Sequence, residues 1–82
     1  MNYYVYLIKS FKKGILKTYV GYTNNLERRI KLHNEGKGAK STRGRVWYLA
    51  YAKKFNSKSD AIKGEYKLKK NRKLRNFIKD NK

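Results

Sequence analysis

The sequence predicts an α/β protein of the α+β kind: a three-stranded, mostly antiparallel sheet flanked by helices, in the order ββαβαα. Three observations carry this. Two β-prone runs near the start are separated by a glycine-bearing turn. A third such run follows in the middle of the chain. Between and after them lie segments whose apolar residues fall at helical spacing behind capping residues.

Residues 3–9, YYVYLIK, are aromatic, β-branched and uninterrupted, which predicts a central strand buried on both faces. Residues 10–16, with Gly14, carry turn chemistry, and residues 17–22, KTYVGY, form the second strand of a hairpin. The stretch TNN offers N-cap residues to a first helix in which Leu26, Ile30 and His33 make a stripe. Gly36 stands where that helix would end. Residues 46–55 read as the third strand. NSKSDA then caps a second helix, whose expected buried face is Ala61, Ile62, Tyr66 and Leu68. Asn71 is a weak break, and Leu74, Phe77 and Ile78 suggest a short last helix. The length predicts one domain over 1–82, with little spare stability and no room for a wasted core position.

Charge is the dominant global property. Twenty-three Lys and Arg face five acids, a net charge of +18. Self-repulsion at that density opposes folding and points to a polyanionic partner, DNA or RNA, spread over the whole chain rather than a membrane surface. There is no cysteine, which excludes disulfides and thiolate metal sites, and one histidine cannot build a histidine-rich zinc site. No apolar run reaches membrane-span length, and the aromatic start lacks the pattern of a signal peptide, so a cytoplasmic location is expected. Nothing in the pattern calls for a small-molecule cofactor, and oligomeric state is not legible.

The few acids limit the chemistry. Glu27, Glu35, Asp60, Glu65 and Asp80 are too dispersed for a multi-carboxylate cage. One carboxylate with water and substrate phosphate is the pattern that remains for a metal, and Mg²⁺ tolerates it. Glu65 lies along the apolar face of its helix, with Ala61 at i−4 and Leu68 at i+3. That placement suits either a metal ligand or a rim residue paired with a lysine. Arg29 borders the Leu26 stripe in the same way, free either to snorkel or to meet a phosphate. His33, one turn on, reads as a helix-end histidine or as a phosphate and proton contact. Eight tyrosines pack or act; a phenol is a poor base unless cations lower its pKa, and cations abound.

The basic run GKGAKSTRGR, 36–45, is not a Walker A loop: Ala39 precedes Lys40 where glycine is needed, and no strand leads into it. Its glycines and Lys37, Lys40, Arg43 and Arg45 suit a wall that grips successive phosphates.

Taken together, YVY (4–6), YVG (19–21), LERRIKLH, the basic run and the single helical Glu65 resemble the GIY-YIG nuclease superfamily, in particular its small stand-alone bacterial members. The likeness covers nearly the whole chain, although Tyr4 stands for the first glycine and Val20 for the isoleucine. The resemblance implies a metal-dependent DNA endonuclease of repair or recombination, and a compact domain without a second binding element suggests one low in sequence specificity or directed by DNA structure. By the same likeness Tyr6 matches the general base and Tyr19 the tyrosine that orients water or contacts phosphate. Arg29 matches the ligand of the scissile phosphate, His33 a frequent active-site histidine, and Glu65 the ligand of one divalent metal, Mg²⁺ or Mn²⁺. An asparagine often supports such sites; Asn71 and Asn76 are available but stand in no matching motif. A basic nucleic-acid-binding module without catalysis is the alternative.

Overall fold

The computed structural model describes residues 2–80, with side chains to Phe77. Strands β1 (Tyr3–Lys12) and β2 (Ile15–Thr23) are followed by helix α1 (Leu26–Asn34), a 3₁₀ turn (Lys40–Thr42), strand β3 (Tyr48–Phe55) and helices α2 (Lys58–Lys70) and α3 (Arg72–Asp80). The predicted order ββαβαα is the observed one. The sheet order is β2-β1-β3 and both pairings are antiparallel. The first strand is central, and Val5, Tyr6, Leu7 and Ile8 are each no more than 2% exposed.

The hairpin is tighter than expected. Strand pairing runs to Lys12 opposite Ile15, so the turn is only Lys13 and Gly14 rather than residues 10–16. Both have positive φ, 52° and 78°, the signature of a type I′ turn, whose twist matches that of the flanking strands. On the other side, β3 starts at Tyr48, two residues later than predicted, because Trp47 is held in the approach. Asn34 clamps Trp47 from both sides: Trp47 N donates to Asn34 Oδ1 at 2.6 Å, and Asn34 Nδ2 to Trp47 O at 3.2 Å. The β1–β3 register shifts between Leu7 and Ile8, where Ala50 is the extra residue of a bulge.

Alternation along β1 makes two cores. Val5 and Leu7 join Val20, Ala61 and Leu68 in an apolar cluster under α2. Tyr6 and Ile8 join Trp47, with Tyr19, Leu26 and Ile30 packed against them, on the α1 side. The helix ends follow the predicted chemistry. Asn25 Oδ1 accepts from Arg28 N at 3.1 Å, and Ser57 Oγ from Asp60 N at 3.1 Å. Gly36 ends α1 in a Schellman motif: its N–H reaches His33 O, and Lys37 N reaches Leu32 O at 2.9 Å.

Two predicted faces need correction. In α2, Ile62 (45% exposed) and Tyr66 (58%) face outward. The buried line runs instead through Ala61, Gly64 and Leu68, because Gly64 lets the helix sit directly on the Phe55 ring. Tyr66 carries the Lys70 ammonium 4.4 Å over its ring at the surface. In α3, Leu74 packs on the core while Phe77 is 65% exposed; the Ile78 side chain lies outside the described residues. Asn71 is more than a break: its Oδ1 accepts from Leu74 N at 3.0 Å and caps α3.

Candidate active site

A cleft of about 490 Å³ is lined by Tyr6, Tyr19 and Gly21 from one face of the sheet and by Tyr3 and Tyr22 from the other. Because it draws on both faces, Arg29 of α1 and Glu65 and Lys58 of α2 share it, with Thr23 and Asn24 between them. Four of the five residues expected to be catalytic, Tyr6, Tyr19, Arg29 and Glu65, thus meet in one place. The fifth, His33, lies behind Tyr6 and is fully buried.

Tyr6 and His33 are joined by a 2.8 Å bond between Oη and Nε2. The Tyr19 ring lies 5.0 Å from the imidazole and 6.5 Å from the Tyr6 ring. Two glycines make this packing fit. Gly21 pairs with Tyr6 across the hairpin, and a Cβ there would stand 2.5 Å from Tyr6 Oη. A Cβ at Gly38 would strike the His33 ring at Nδ1. The other ring nitrogen, Nδ1, meets Thr42 Oγ1 at 2.9 Å, and Trp47 Nε1 donates to Thr42 O at 2.8 Å.

Burial, not charge, governs the protonation of this pair. Desolvation raises the Tyr6 pKa above its ordinary 10, outweighing the hydrogen bond and charge of Arg29 that pull it down. The expectation that nearby cations would make the phenol acidic is therefore corrected: the charged form is disfavoured because the hydroxyl is out of water. The His33 pKa falls below 6.5, first through burial and then through the Arg29 charge, so the ring is neutral at physiological pH. A neutral imidazole against a neutral phenol is a pair that can pass a proton.

Arg29 reaches Gly38 O with one Nη at 3.5 Å, while its Nε is buried and without a hydrogen-bond partner. A guanidinium at a cleft wall, with no carboxylate paired to it among the described contacts, is a place for an anion. Glu65 is the one carboxylate lining the cleft, and its side chain is 20% exposed. The lysine pairing read from the sequence is present: Lys69 meets Oε1 at 3.0 Å across one helical turn. That bond leaves most of the carboxylate lone pairs available. Among the described residues no three His, Asp or Glu cluster to make a closed metal cage. One carboxylate in an open, oxygen-lined cleft instead fits a hard cation that keeps most of its water.

The basic run 36–45 contributes no residue to the cleft lining. It packs behind His33, through Gly38 and Thr42. Lys37, Lys40 and Arg43 are exposed. Arg45, expected on phosphate, is turned inward: Nε donates to Ser10 Oγ at 3.1 Å, and Nη2 to Ser10 O at 3.2 Å and Ile15 O at 2.9 Å. Lys12 Nζ completes this strap between hairpin and loop, donating to Gly44 O at 2.7 Å. Thr42 and Ser10 escaped the sequence reading because small hydroxyl residues in a basic loop and at a strand end look like solvated positions. Asn71 lies in a separate groove between α2, α3 and β3, away from the cleft.

The comparisons with known proteins bear on the family and the fold. The profile of the GIY-YIG catalytic domain matches residues 2–77. A UPF0213 protein of Oceanobacillus iheyensis is 46% identical over 69 residues, which is 83% of this chain and 77% of that protein. One of Clostridium perfringens is 49% identical over 71 residues, 85% of this chain and 72% of the other. The solution NMR structure of a UPF0213 protein from Bacillus halodurans has the same α+β fold, with a TM-score of 0.51 and 44% identity over 95% of this chain and 83% of that one. Domains of this type are in general nuclease domains that bind nucleic acid and typically use a divalent metal. Among the described residues no helix is long and apolar enough to cross a membrane. By its profile, its relatives and its fold, the chain belongs to the GIY-YIG family.

Proposed function

We propose that the protein is a divalent-metal-dependent DNA endonuclease that hydrolyses phosphodiester bonds, directed by DNA structure or low in sequence specificity. The observation that carries this is the convergence of Tyr6, Tyr19, Arg29 and Glu65 on one cleft, with the Tyr6 hydroxyl bonded to a buried, neutral His33. A binding module needs none of that arrangement. Structure-directed or unspecific cutting suits repair or recombination, where nicked and branched DNA arise. A cytoplasmic setting fits that role.

The mechanism follows from the groups present. Substrate phosphate enters the cleft and meets the Arg29 guanidinium, which offsets charge developing on the phosphoryl oxygens. Tyr19, beside Tyr6, orients the attacking water. Tyr6 takes a proton from that water while giving its own to His33 Nε2, so the phenol need not ionise against its raised pKa. Glu65 would hold Mg²⁺ or Mn²⁺, which supplies Lewis-acid stabilisation at the phosphate. Lys37, Lys40 and Arg43, outside the cleft, hold the flanking backbone of the nucleic acid.

The test is a panel of duplex, nicked, flapped and branched DNA, with RNA counterparts, incubated with Mg²⁺ or Mn²⁺. Cleavage of at least one DNA by the wild type and none by Glu65→Gln supports the proposal. Tight, salt-sensitive binding to every substrate with no cutting, indifferent to metal, would instead establish the non-catalytic alternative, which the +18 charge alone favours.

A further inference from the structure

The polar contacts around His33 have a single consistent direction. Tyr6 is 1% exposed, and its hydroxyl has one acceptor among the described contacts, His33 Nε2 at 2.8 Å. The neighbouring Arg29 guanidinium can only donate. The phenol proton therefore points at Nε2, which carries no hydrogen. A neutral imidazole then holds its own proton on Nδ1, 2.9 Å from Thr42 Oγ1, which accepts it. The hydroxyl hydrogen of Thr42 goes to the carbonyl oxygen of Ala39 at 3.0 Å. The opposite polarity, with Thr42 donating to Nδ1 and the ring donating to Tyr6, takes the Thr42 hydrogen away from Ala39 O and turns the phenol proton away from its one acceptor among the described contacts.

Thr42 is held firmly enough to impose this. It is 0% exposed and closes a 3₁₀ turn in which its N–H also bonds Ala39 O at 3.2 Å. Its carbonyl receives the Trp47 indole N–H, and Gly38 lies flush on the ring it serves. The groups around the imidazole are Tyr6 of β1, Tyr19 of β2, Arg29 of α1 and Thr42 of the loop. Of these, only Thr42 offers an acceptor to Nδ1 among the described contacts.

We infer that Thr42 is a positioning residue that locks His33 in the Nδ1–H tautomer, and so makes Nε2 the acceptor of the Tyr6 proton. The catalytic consequence rests on the nuclease reading; the tautomer does not. In the reaction, water oxygen bonds to phosphorus as the leaving oxygen departs with its electron pair. The water proton moves to the Tyr6 oxygen as the phenol proton moves to Nε2. The ring becomes an imidazolium whose Nδ1–H stays on Thr42, and the leaving oxygen takes a proton from solvent. The other tautomer has a hydrogen on Nε2 and cannot begin the sequence.

The chain has one histidine, so its imidazole nitrogens can be read without assignment ambiguity. Two-bond ¹H–¹⁵N correlation spectra of the labelled full chain at neutral pH should show a protonated Nδ1 and an unprotonated Nε2. Thr42→Val should move the ring toward the Nε2–H form or a mixture, and Thr42→Ser should restore the wild-type pattern. In cleavage assays Thr42→Val should lower kcat by about 10²-fold with little change in KM, and Thr42→Ser should recover it. A wild-type ring protonated on Nε2 overturns the inference, as does a Thr42→Val protein that keeps the wild-type tautomer. The wild-type spectrum decides the matter even where the valine variant folds poorly. Should no substrate be cut by any variant, the nuclease reading fails while the spectrum still judges the tautomer.

Discussion

The two faces of strand β1 are built from alternate residues of one peptide and could hardly differ more. On the α2 side Val5 and Leu7 form a buried aliphatic cluster with Val20, Ala61 and Leu68, and the rings of Tyr3, Tyr22, Tyr51 and Phe55 pack at its edge. On the α1 side Tyr6 and Ile8 share their core with a buried imidazole, the Thr42 hydroxyl and, at the strand's far end, Ser10. The first face stabilises the domain through burial of apolar area, which tolerates exchange of one hydrophobe for another. The second depends on each polar atom finding its partner, and gains direction in return. On β1 itself the apolar core and the phenol–imidazole pair are thus separated by about the thickness of one strand, although the cleft at the strand's end also takes Glu65 from the α2 side.

That separation can be broken most sharply at Tyr6. Tyr6→Phe removes one oxygen and should lower the cleavage rate about 10²–10⁴-fold while circular dichroism and the melting profile show a folded protein. A comparable loss of folding would mean that the phenol is chiefly a packing residue. Leu7→Ala is the opposite experiment. It should cost about 2–5 kcal/mol in denaturant unfolding and leave kcat per folded molecule unchanged. A matching fall in kcat would show the two faces to be coupled.

The pH response sharpens the comparison further, because a single histidine titrates near neutrality. Its folded pKa lies below the unfolded value of 6.5. Between the two the unfolded chain binds more protons, so His33 does not penalise stability above pH 6.5 and costs stability as pH falls through that window. Melting temperature measured from pH 7.5 downward should drop there, and kcat should fall with the same group as Nε2 becomes protonated. With the Tyr6 pKa raised above 10, no descending limb from the phenol is expected at physiological pH. A His33→Gln protein that keeps the wild-type slope would assign the titration elsewhere.

The smallest effect concerns the basic loop. Lys40→Gln with Arg43→Gln should weaken DNA binding and reduce the log–log salt slope by about 0.9 for each phosphate left without its cation. Arg45→Gln should do the reverse, lowering the melting temperature with little change in that slope, since its guanidinium is spent on Ser10 and Ile15. Equal slopes for both proteins would erase the distinction between the outward and inward cations.

What was legible in the sequence follows from local physics. The β1 run, the caps at Asn25 and Ser57 and the Gly36 terminus are short-range chemistry, and each stands where the sequence places it. Arg29 and Glu65 stood out because a charge beside an apolar stripe is costly unless it has work to do. The failures needed distance. Ile62 and Tyr66 were misjudged because the face of α2 is chosen by Gly64 against Phe55, nine residues away in sequence and invisible to helical spacing. Arg45 looks like Arg43 in the sequence, and only the hairpin arriving from 30 residues earlier separates them. The direction of the Tyr6 pKa depends on how deep the hydroxyl sits, which no count of nearby lysines could supply.

The sheet order β2-β1-β3 carries a consequence in time. The β1–β2 hairpin closes through a two-residue turn and can form within microseconds, whereas β3 must return to β1 after α1 and the loop have been laid down. The seat of His33 is made by residues of that same intervening stretch, and Trp47 at its end ties Thr42 in place. A newly made or refolding chain can therefore have its tyrosines aligned on the hairpin before the seat of His33 is complete, and on the proposed nuclease reading a half-folded copy of so basic a protein would hold DNA without being able to cut it.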